Sequence, residues 1–175
     1  MFTIRWLSHA LKKGGQNVQW QRRKRAKTVN NLVICDNAYN ILAISDCIDG
    51  NHHDNFEIIE NIKNMIGLLD KQHIDYKRSH LNADSGFDVK AFIEFIENHK
   101  IIANIKENRR NKKKNVPDYR YLSEYIYDFR FKIEVVFAWL DTYKRLLVRF
   151  EVLSNHFKSW LLIASSMINF RHIFN

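Results

Sequence analysis

The fold class follows mainly from residues 28–48, TVNNLVICDNAYNILAISDCI, which contain two apolar runs separated by four residues. The runs Thr28–Asp36 and Ile41–Ile48 are rich in the β-branched residues that favour strands. The four residues between them, Asn37-Ala-Tyr-Asn40, are typical of a turn. This stretch therefore predicts a β-hairpin.

The two cysteines of the chain lie in this hairpin. If Asp36 pairs with Ile41, Cys35 lies opposite Leu42, and Cys47 lies far out of register with it. Reduced thiols are therefore expected, which favours a cytosolic protein.

Outward from the hairpin, apolar periodicity predicts strands alternating with helices. The predicted elements are a strand at Phe2–Trp6, a helix capped by Asp54 or Asn55 with an apolar stripe from Phe56 to Leu69, a strand at Arg78–Ala83, a helix capped by Asp88, a strand at Ile101–Ile105, and helices from Tyr119 onward with a break near Leu153–Asn155. Three leading strands followed by alternating units predict an α/β fold, with a mixed sheet, flanking helices and a helical C-terminus. We expect one domain over residues 1–175.

The net charge of +9 is concentrated in two segments. Residues 12–27 carry seven basic and no acidic side chains, and residues 106–114 carry six basic and one acidic. Because these segments hold +7 and +5, the rest of the chain carries −3. Solvated loops would explain either segment, but two clusters favour a polyanion partner, nucleic acid first. The candidate contacts are Arg22, Arg23, Lys24, Arg25, Arg109, Arg110, Lys112, Lys113 and Lys114.

No apolar run reaches the roughly 18 residues that a membrane span needs. The first residues also lack the apolar region and cleavage site of a signal peptide. We therefore expect no membrane partner.

The helical stretch around Glu134 carries a polar face. At about 100° per residue, Ile126, Ile133 and Leu140 fall on one arc with other apolar residues. The opposite arc carries Tyr127, Arg130, Glu134 and Asp141. From periodicity alone, a solvated face with an Arg130–Glu134 pair is favoured over a functional site as the explanation of this arc.

Asp84 follows a predicted strand and precedes a glycine turn. Ligands in open α/β sheets collect beyond the carboxyl ends of strands, although the local sequence alone favours a turn Asp that bonds its own backbone. Together, Asp84 and Glu134 are candidate oxygen ligands for a divalent metal. Two such ions would promote phosphodiester chemistry, which usually needs a further carboxylate.

At these residues the sequence resembles bacterial insertion-sequence transposases of the DDE type, which have a ribonuclease H-like fold. The resemblance covers nearly the whole chain and rests on segments in a fixed order: Lys13-Gly-Gly-Gln16 with Gln21-Arg-Arg-Lys24, Cys35-Asp-Asn37 with Ile41-Leu-Ala43, Gly50-Asn-His-His-Asp54, Leu81-Asn-Ala-Asp-Ser-Gly-Phe-Asp88, Tyr127-x-x-Arg130-x-x-x-Glu134, and Ala138-Trp-Leu-Asp141 with Leu146-Leu-Val-Arg-Phe-Glu151.

The resemblance implies that Asp84 and Glu134 are the second and third metal-binding acids, and that Tyr127 and Arg130 contact DNA phosphates. It implies Mg²⁺ or Mn²⁺ as cofactor, and double-stranded DNA at transposon ends as partner in a bacterial cytoplasm. The resemblance also leads us to expect that the family's separate DNA-recognition domain, which lies upstream, is missing here. In the family a Lys often follows the Glu after six residues, and this chain has Asp141 at that place. Lys144 or Arg145 is a candidate for that cation.

The first catalytic Asp of the family precedes a Gly-Ser-His segment, and here Trp6 stands before Leu7-Ser8-His9. An indole does not bind Mg²⁺, so the chain is expected to be truncated at its N-terminus and inactive alone. Asp36, Asp46 and Asp49 remain candidates for a substitute acid. A second copy or a complementing upstream transposase fragment is a candidate partner, and a non-catalytic DNA-binding remnant is the alternative function.

Overall fold

The computed structural model describes residues 1–11, 14–22, 24–53, 55–108 and 121–174. Two short 3₁₀ turns, at Ser85–Phe87 and Phe129–Phe131, accompany the regular elements. The described strands are β1 Phe2–Leu11, β2 Gln19–Gln21, β3 Ala26–Asp36, β4 Ile41–Ile44, β5 Ile48–Asp49, β6 His80–Ala83, β7 Ile102–Ile105 and β8 Val148–Arg149. The described helices are α1 Ile58–Lys71, α2 Lys90–Asn98, α3 Glu124–Asp128, α4 Lys132–Asp141, α5 Lys144–Leu147 and α6 Ser154–Phe174.

The eight strands form one mixed sheet around the antiparallel pair β1 and β3. The other edge of β3 pairs antiparallel with β2, β5 and β4 in turn. The other edge of β1 pairs parallel with β6 at its beginning and with β8 at its end. β7 completes the sheet parallel to β6. The predicted α/β class with a mixed sheet and flanking helices is confirmed, and it is consistent with an α/β nuclease-like fold.

Each face of the sheet has its own apolar core. Because side chains alternate along a strand, Phe2 and Ile4 of β1 face one side, where they pack with α1 and α2. Leu7 and Leu11 face the other side, where they pack with α4 and α6. The central strand β3 is apolar on both faces and almost wholly buried, as expected for a strand covered by helices on both sides.

The predicted hairpin forms, but its second strand, expected over Ile41–Ile48, is divided into β4 and β5, and the register also shifts once. Ile34 pairs with Ala43 in the expected register, but a shift at the next position places Cys35 opposite Ile41. The expectation of Leu42 opposite Cys35 was therefore wrong, because a bulge adds a residue there. Both cysteines are buried and free, as expected.

The helix boundaries differ from the predictions at both capping sites. α1 begins at Ile58 after Glu57, whose side chain makes no capping bond, so Asn55 is not its cap. Asp54 lies outside the described residues. α2 begins at Lys90, and Asp88 instead accepts a hydrogen bond from the backbone N–H of Asn108 at 2.7 Å.

The C-terminal region is not one helical pair. After α4 and the short α5, β8 (Val148–Arg149) pairs with β1, and only then does α6 begin. The fully buried Arg149 donates to the nearby carbonyls of Glu151 and Val152. The backbone N–H of Gln16 also donates to the carbonyl of Val152 at 2.9 Å, a tertiary contact that helical periodicity does not show. Within the described residues, no helix is long and apolar enough to cross a membrane.

Candidate functional site

Asp84 lies directly after β6, at the carboxyl end of the strand. Its backbone carbonyl accepts from Phe87 in the 3₁₀ turn at 2.9 Å, but its side chain makes no capping bond. The carboxylate instead contacts the guanidinium groups of Arg5 and Arg130, each at 3.6 Å. The Asp84 carboxylate therefore forms ion pairs with the two arginines and does not cap its own turn.

Glu134 lies in the first turn of α4, with its side chain about half exposed. Its Oε1 accepts from Nη1 of Arg5 at 2.5 Å. The same nitrogen lies 3.6 Å from Oδ2 of Asp84. The structure thus brings the two predicted acids together, on either side of one guanidinium group.

Arg5 reaches this position because of the sheet register. In the parallel pair of β1 and β6, Thr3 lies beside Asn82, so Arg5 is level with Asp84, two residues further along. Arg5 points to the face covered by α4. Trp6 points to the opposite face, where it packs with the core of α1 and α2. The β1 side chain that faces the acids is therefore Arg5 and not Trp6.

Arg130 and Tyr127 form the wall of the site. The Arg130 guanidinium stacks over the Tyr127 ring at 4.1 Å and over the Phe131 ring at 3.9 Å. Its Nε lies 3.6 Å from Asp84, and it also pairs with Asp128 at 3.8 Å. The proposed Arg130–Glu134 pair is thus replaced by Arg130–Asp84 and Arg5–Glu134.

Tyr127 does not lie on an exposed arc, contrary to the helical projection. It is buried, because the 3₁₀ turn between α3 and α4 changes the phase of the helix. Burial raises the pKa of the Tyr127 hydroxyl, with Arg130 lowering it and Asp84 raising it further. The phenol is therefore a neutral hydrogen-bonding group at neutral pH.

A buried amide ladder holds this wall against the sheet, and the sequence reasoning missed it. Asn104 of β7 donates to Asn82 of β6 at 2.8 Å, and Asn82 donates to the carbonyl of Ile126 at 2.8 Å. Asn104 also accepts from the backbone N–H of Ser123 at 2.8 Å. Asparagine in the middle of two apolar strands is the signal that would have pointed to these positions.

Arg145 does not occupy the expected place on the Glu134 face. The projection assumed a continuous helix, but α4 ends at Asp141 and Tyr143 is extended. Arg145 pairs with Glu151 at 3.2 Å and stacks on Trp160 at 4.8 Å, and the exposed Lys144 lines the same groove against α6. The structure places both cations outside the Asp84–Glu134 cluster.

A different cation lies near Asp141. Lys24, in the turn between β2 and β3, donates to the backbone carbonyl of Ser8 at 3.0 Å. Partial burial raises the pKa of Asp141, and the charge of Lys24 opposes that rise. Arg22 and Arg25 are exposed in the same turn. The candidates Arg23, Arg109, Arg110, Lys112, Lys113 and Lys114 lie outside the described residues.

The three candidate substitute acids are engaged elsewhere. Asp36 accepts from the backbone N–H groups of Ala38 and Asn40, and it thereby closes the hairpin turn. Asp46 pairs with Lys158 at 2.6 Å, and Asp49 lies in β5 on the far edge of β3. In the described part of the chain, none of them contacts Asp84 or Glu134.

The divalent metal that the resemblance implies does not fit this donor set. Mg²⁺ requires oxygen ligands in near-octahedral geometry. Both carboxylates are present, but each already has a guanidinium group as counter-ion. Among the residues that the structure describes, no group of three His, Cys, Asp or Glu side chains comes together.

Comparison with known proteins identifies the family. The family model described as "DDE superfamily endonuclease" matches residues 7–169, which include Asp84, Tyr127, Arg130 and Glu134. No match was found among curated proteins or among solved structures. Because the family match spans more than nine-tenths of the chain, the protein belongs to the DDE superfamily of endonucleases.

Proposed function

We propose that this chain is a transposase-type domain that binds the backbone of double-stranded DNA at transposon ends. Three findings support the proposal: the endonuclease family, the net charge of +9, and the clustering of Asp84, Glu134 and Arg130 beyond the end of β6. The family resemblance implies metal-dependent cutting and joining of phosphodiesters.

The observation that carries the DNA proposal is the contact between Lys24 and Ser8. It holds the basic turn three residues along β1 from Arg5, a separation of about 10 Å. Lys24 also affects Asp141, which lies seven residues, again about 10 Å, along α4 from Glu134. The exposed cations Arg22, Lys24 and Arg25 therefore lie beside the acid cluster, where a duplex lying across the site would pass.

We expect the isolated chain to cut DNA weakly or not at all. A cationic side chain, Arg5, faces Asp84 and Glu134 at the β1 position where a third acid would complete a metal site. This favours the alternative that the chain binds DNA without cleaving it. Cleavage of transposon-end DNA with Mg²⁺ or Mn²⁺, abolished by Glu134→Gln, would contradict the expectation.

DNA binding is tested by fluorescence anisotropy with a labelled duplex over a series of salt concentrations. The variant Arg22→Ser/Lys24→Ser/Arg25→Ser should bind DNA more weakly. The negative slope of log K against log salt should become shallower by about 0.9 for each phosphate that is no longer neutralised. The matched control, Lys63→Ser/Lys71→Ser/Lys90→Ser, removes three exposed cations from α1 and α2. Equal weakening in both triple variants, or no binding by the native chain at physiological salt, would refute the proposal.

A further inference from the structure

We propose that the Arg5 guanidinium takes the place of a divalent cation between Asp84 and Glu134, so that this site holds its carboxylates together without metal. The inference concerns the same site as the proposed function, but it does not depend on DNA binding. It would hold equally if the chain bound no DNA.

The geometry supports the inference because one nitrogen of Arg5 contacts both carboxylates. Nη1 lies 2.5 Å from Glu134 and 3.6 Å from Asp84, and so bridges α4 and the end of β6. Arg130 adds a second cation on the other oxygen of Asp84 at 3.6 Å. Arg5 and Arg130 balance the charges of Asp84 and Glu134, and the third acid near them, Asp128, is exposed and, within the described residues, forms an ion pair only with Arg130, at 3.8 Å. This weakens the electrostatic attraction that a dication needs.

Arg5 is a permanent counter-ion of the two carboxylates, because it is part of the sheet itself. Its backbone is fixed in the middle of the sheet, where β1 pairs with β3 and Arg5 lies opposite Val33. Its side chain is two-thirds buried and is covalently attached to the sheet. A metal ion would therefore have to displace a cation that cannot diffuse away from the site.

The competition between guanidinium and metal leads to a direct test with Mn²⁺. The native chain should bind Mn²⁺ at this site no more tightly than millimolar, as measured by electron paramagnetic resonance of free Mn²⁺ and by the shift in Tm. Arg5→Asp removes the cation and supplies a third carboxylate, so we expect its affinity for Mn²⁺ to rise by about tenfold or more, with a matching rise in Tm. Adding Glu134→Gln to Arg5→Asp should abolish that gain.

The matched control is Arg78→Asp, which makes the same change of charge at the opposite end of β6. It should leave Mn²⁺ binding at the native level. If Arg5→Asp does not fold, Arg5→Ala provides the same comparison, since it frees both carboxylates without adding a third.

Two results would overturn the inference. One is native binding of Mn²⁺ at micromolar concentration that Glu134→Gln removes, because Arg5 would then not exclude the metal. The other is a folded Arg5→Asp or Arg5→Ala that binds Mn²⁺ no better than the native chain. Neither result depends on DNA, so a failed DNA-binding experiment leaves this measurement fully interpretable.

Discussion

Among single residues, His9 shows how far the fold can shift the chemistry of a side chain. It is 2% exposed near the C-terminal end of β1, and its ring packs edge-on against Phe157 at 5.1 Å. Burial lowers the pKa of His9 to about 4, which outweighs the hydrogen bond to the backbone at Leu146 that raises it; the charge of Lys24 lowers it slightly further. His9 is therefore neutral in the folded protein at neutral pH.

This predicts a loss of stability in mild acid. The unfolded chain takes up a proton at His9 near its ordinary pKa of 6.5, whereas the folded chain does so only near 4. As the pH falls from 6.5 to 4, the unfolded state binds more protons, so the free energy of unfolding falls by up to about 3 kcal/mol. Urea unfolding of the native chain and of His9→Gln over this range measures the effect.

The substitution separates His9 from the other titrating groups. His9→Gln removes only the part of the pH dependence between 4 and 6.5 and keeps a polar side chain at the position. Parallel curves for the two proteins over that interval would show that His9 is not responsible.

Whereas burial changes the pKa of His9, the fold gives Arg5 its ion-pair partners. Its side chain reaches two acids that are far away in sequence, and nothing in the alternation of Phe2–Trp6 distinguishes it from a solvated strand residue. Only the parallel register of β1 and β6 places it level with Asp84. The side chain that contacts Asp84 and Glu134 is therefore Arg5, whereas Trp6 packs on the opposite face of the sheet.

Among the elements, the link between β5 and α1 requires a glycine, Gly50, at the point where it approaches β3. Gly50 donates to the carbonyl of Thr28 in β3 at 3.1 Å. A Cβ at Gly50 would lie 1.9 Å from the Thr28 hydroxyl oxygen and 2.4 Å from its carbonyl oxygen. Because part of this clash is with the backbone of the central strand, a rotamer change does not relieve it.

Two glycine-to-alanine substitutions should therefore change the free energy of unfolding in opposite directions. We expect Gly50→Ala to lower the free energy of unfolding by about 2–3 kcal/mol, as overpacking does elsewhere. The control is Gly67→Ala in α1, where an added Cβ meets nothing within 4 Å. Removing a glycine from a helix interior stabilises by about 0.5–1 kcal/mol.

Urea midpoints compared at an unchanged m-value measure both effects. If Gly50→Ala were as stable as the native chain, β5 would not approach β3 as closely as the structure has it. The close approach gives a physical reason for the glycine that opens the Gly50-Asn-His-His-Asp54 segment.

Across the whole molecule, the helical wall of the site is joined to the sheet by the amide ladder of Asn82 and Asn104. The amides of the ladder donate hydrogen bonds to the carbonyls of Ile126 and Ser123, which would otherwise need water as a donor. It thereby fixes α3 over β6 and β7, and with α3 the 3₁₀ turn that carries Arg130. The distance between Arg130 and Asp84 follows from this attachment.

We expect Asn82→Leu to lower the free energy of unfolding by about 1–3 kcal/mol, because it leaves buried polar groups without partners. The control, Asn64→Leu on the exposed face of α1, should change it by less than about 0.5 kcal/mol. Thermal and urea unfolding provide the comparison.

The double variant Asn82→Leu/Asn104→Leu gives a sharper check. It should cost less than the sum of the single variants, because the two amides share one hydrogen bond. Strict additivity would indicate that the ladder does not act as a unit.

The sequence by itself determined the α/β class, the hairpin and the placement of Asp84 and Glu134 on a strand end and a helix. These features have local causes: β-branched runs, turn residues, three-to-four-residue periodicity and motif spacing act over a few neighbouring residues. The same local patterns misplaced the helix caps and carried the final helices through Val148–Arg149, because pairing with β1 overrides helical propensity there.

Only the tertiary structure decided which charges meet. Arg5 and Glu134 are 129 residues apart in sequence, and their contact depends on strand register, on the buried amide ladder and on the phase change at Phe129–Phe131. The asparagines of the ladder stand out locally within apolar strands, but no local pattern shows which groups they bond, because the partners come from segments distant in the chain. The sequence supplied two acids for a metal site, and the packing of β1 against β6 placed an arginine between them.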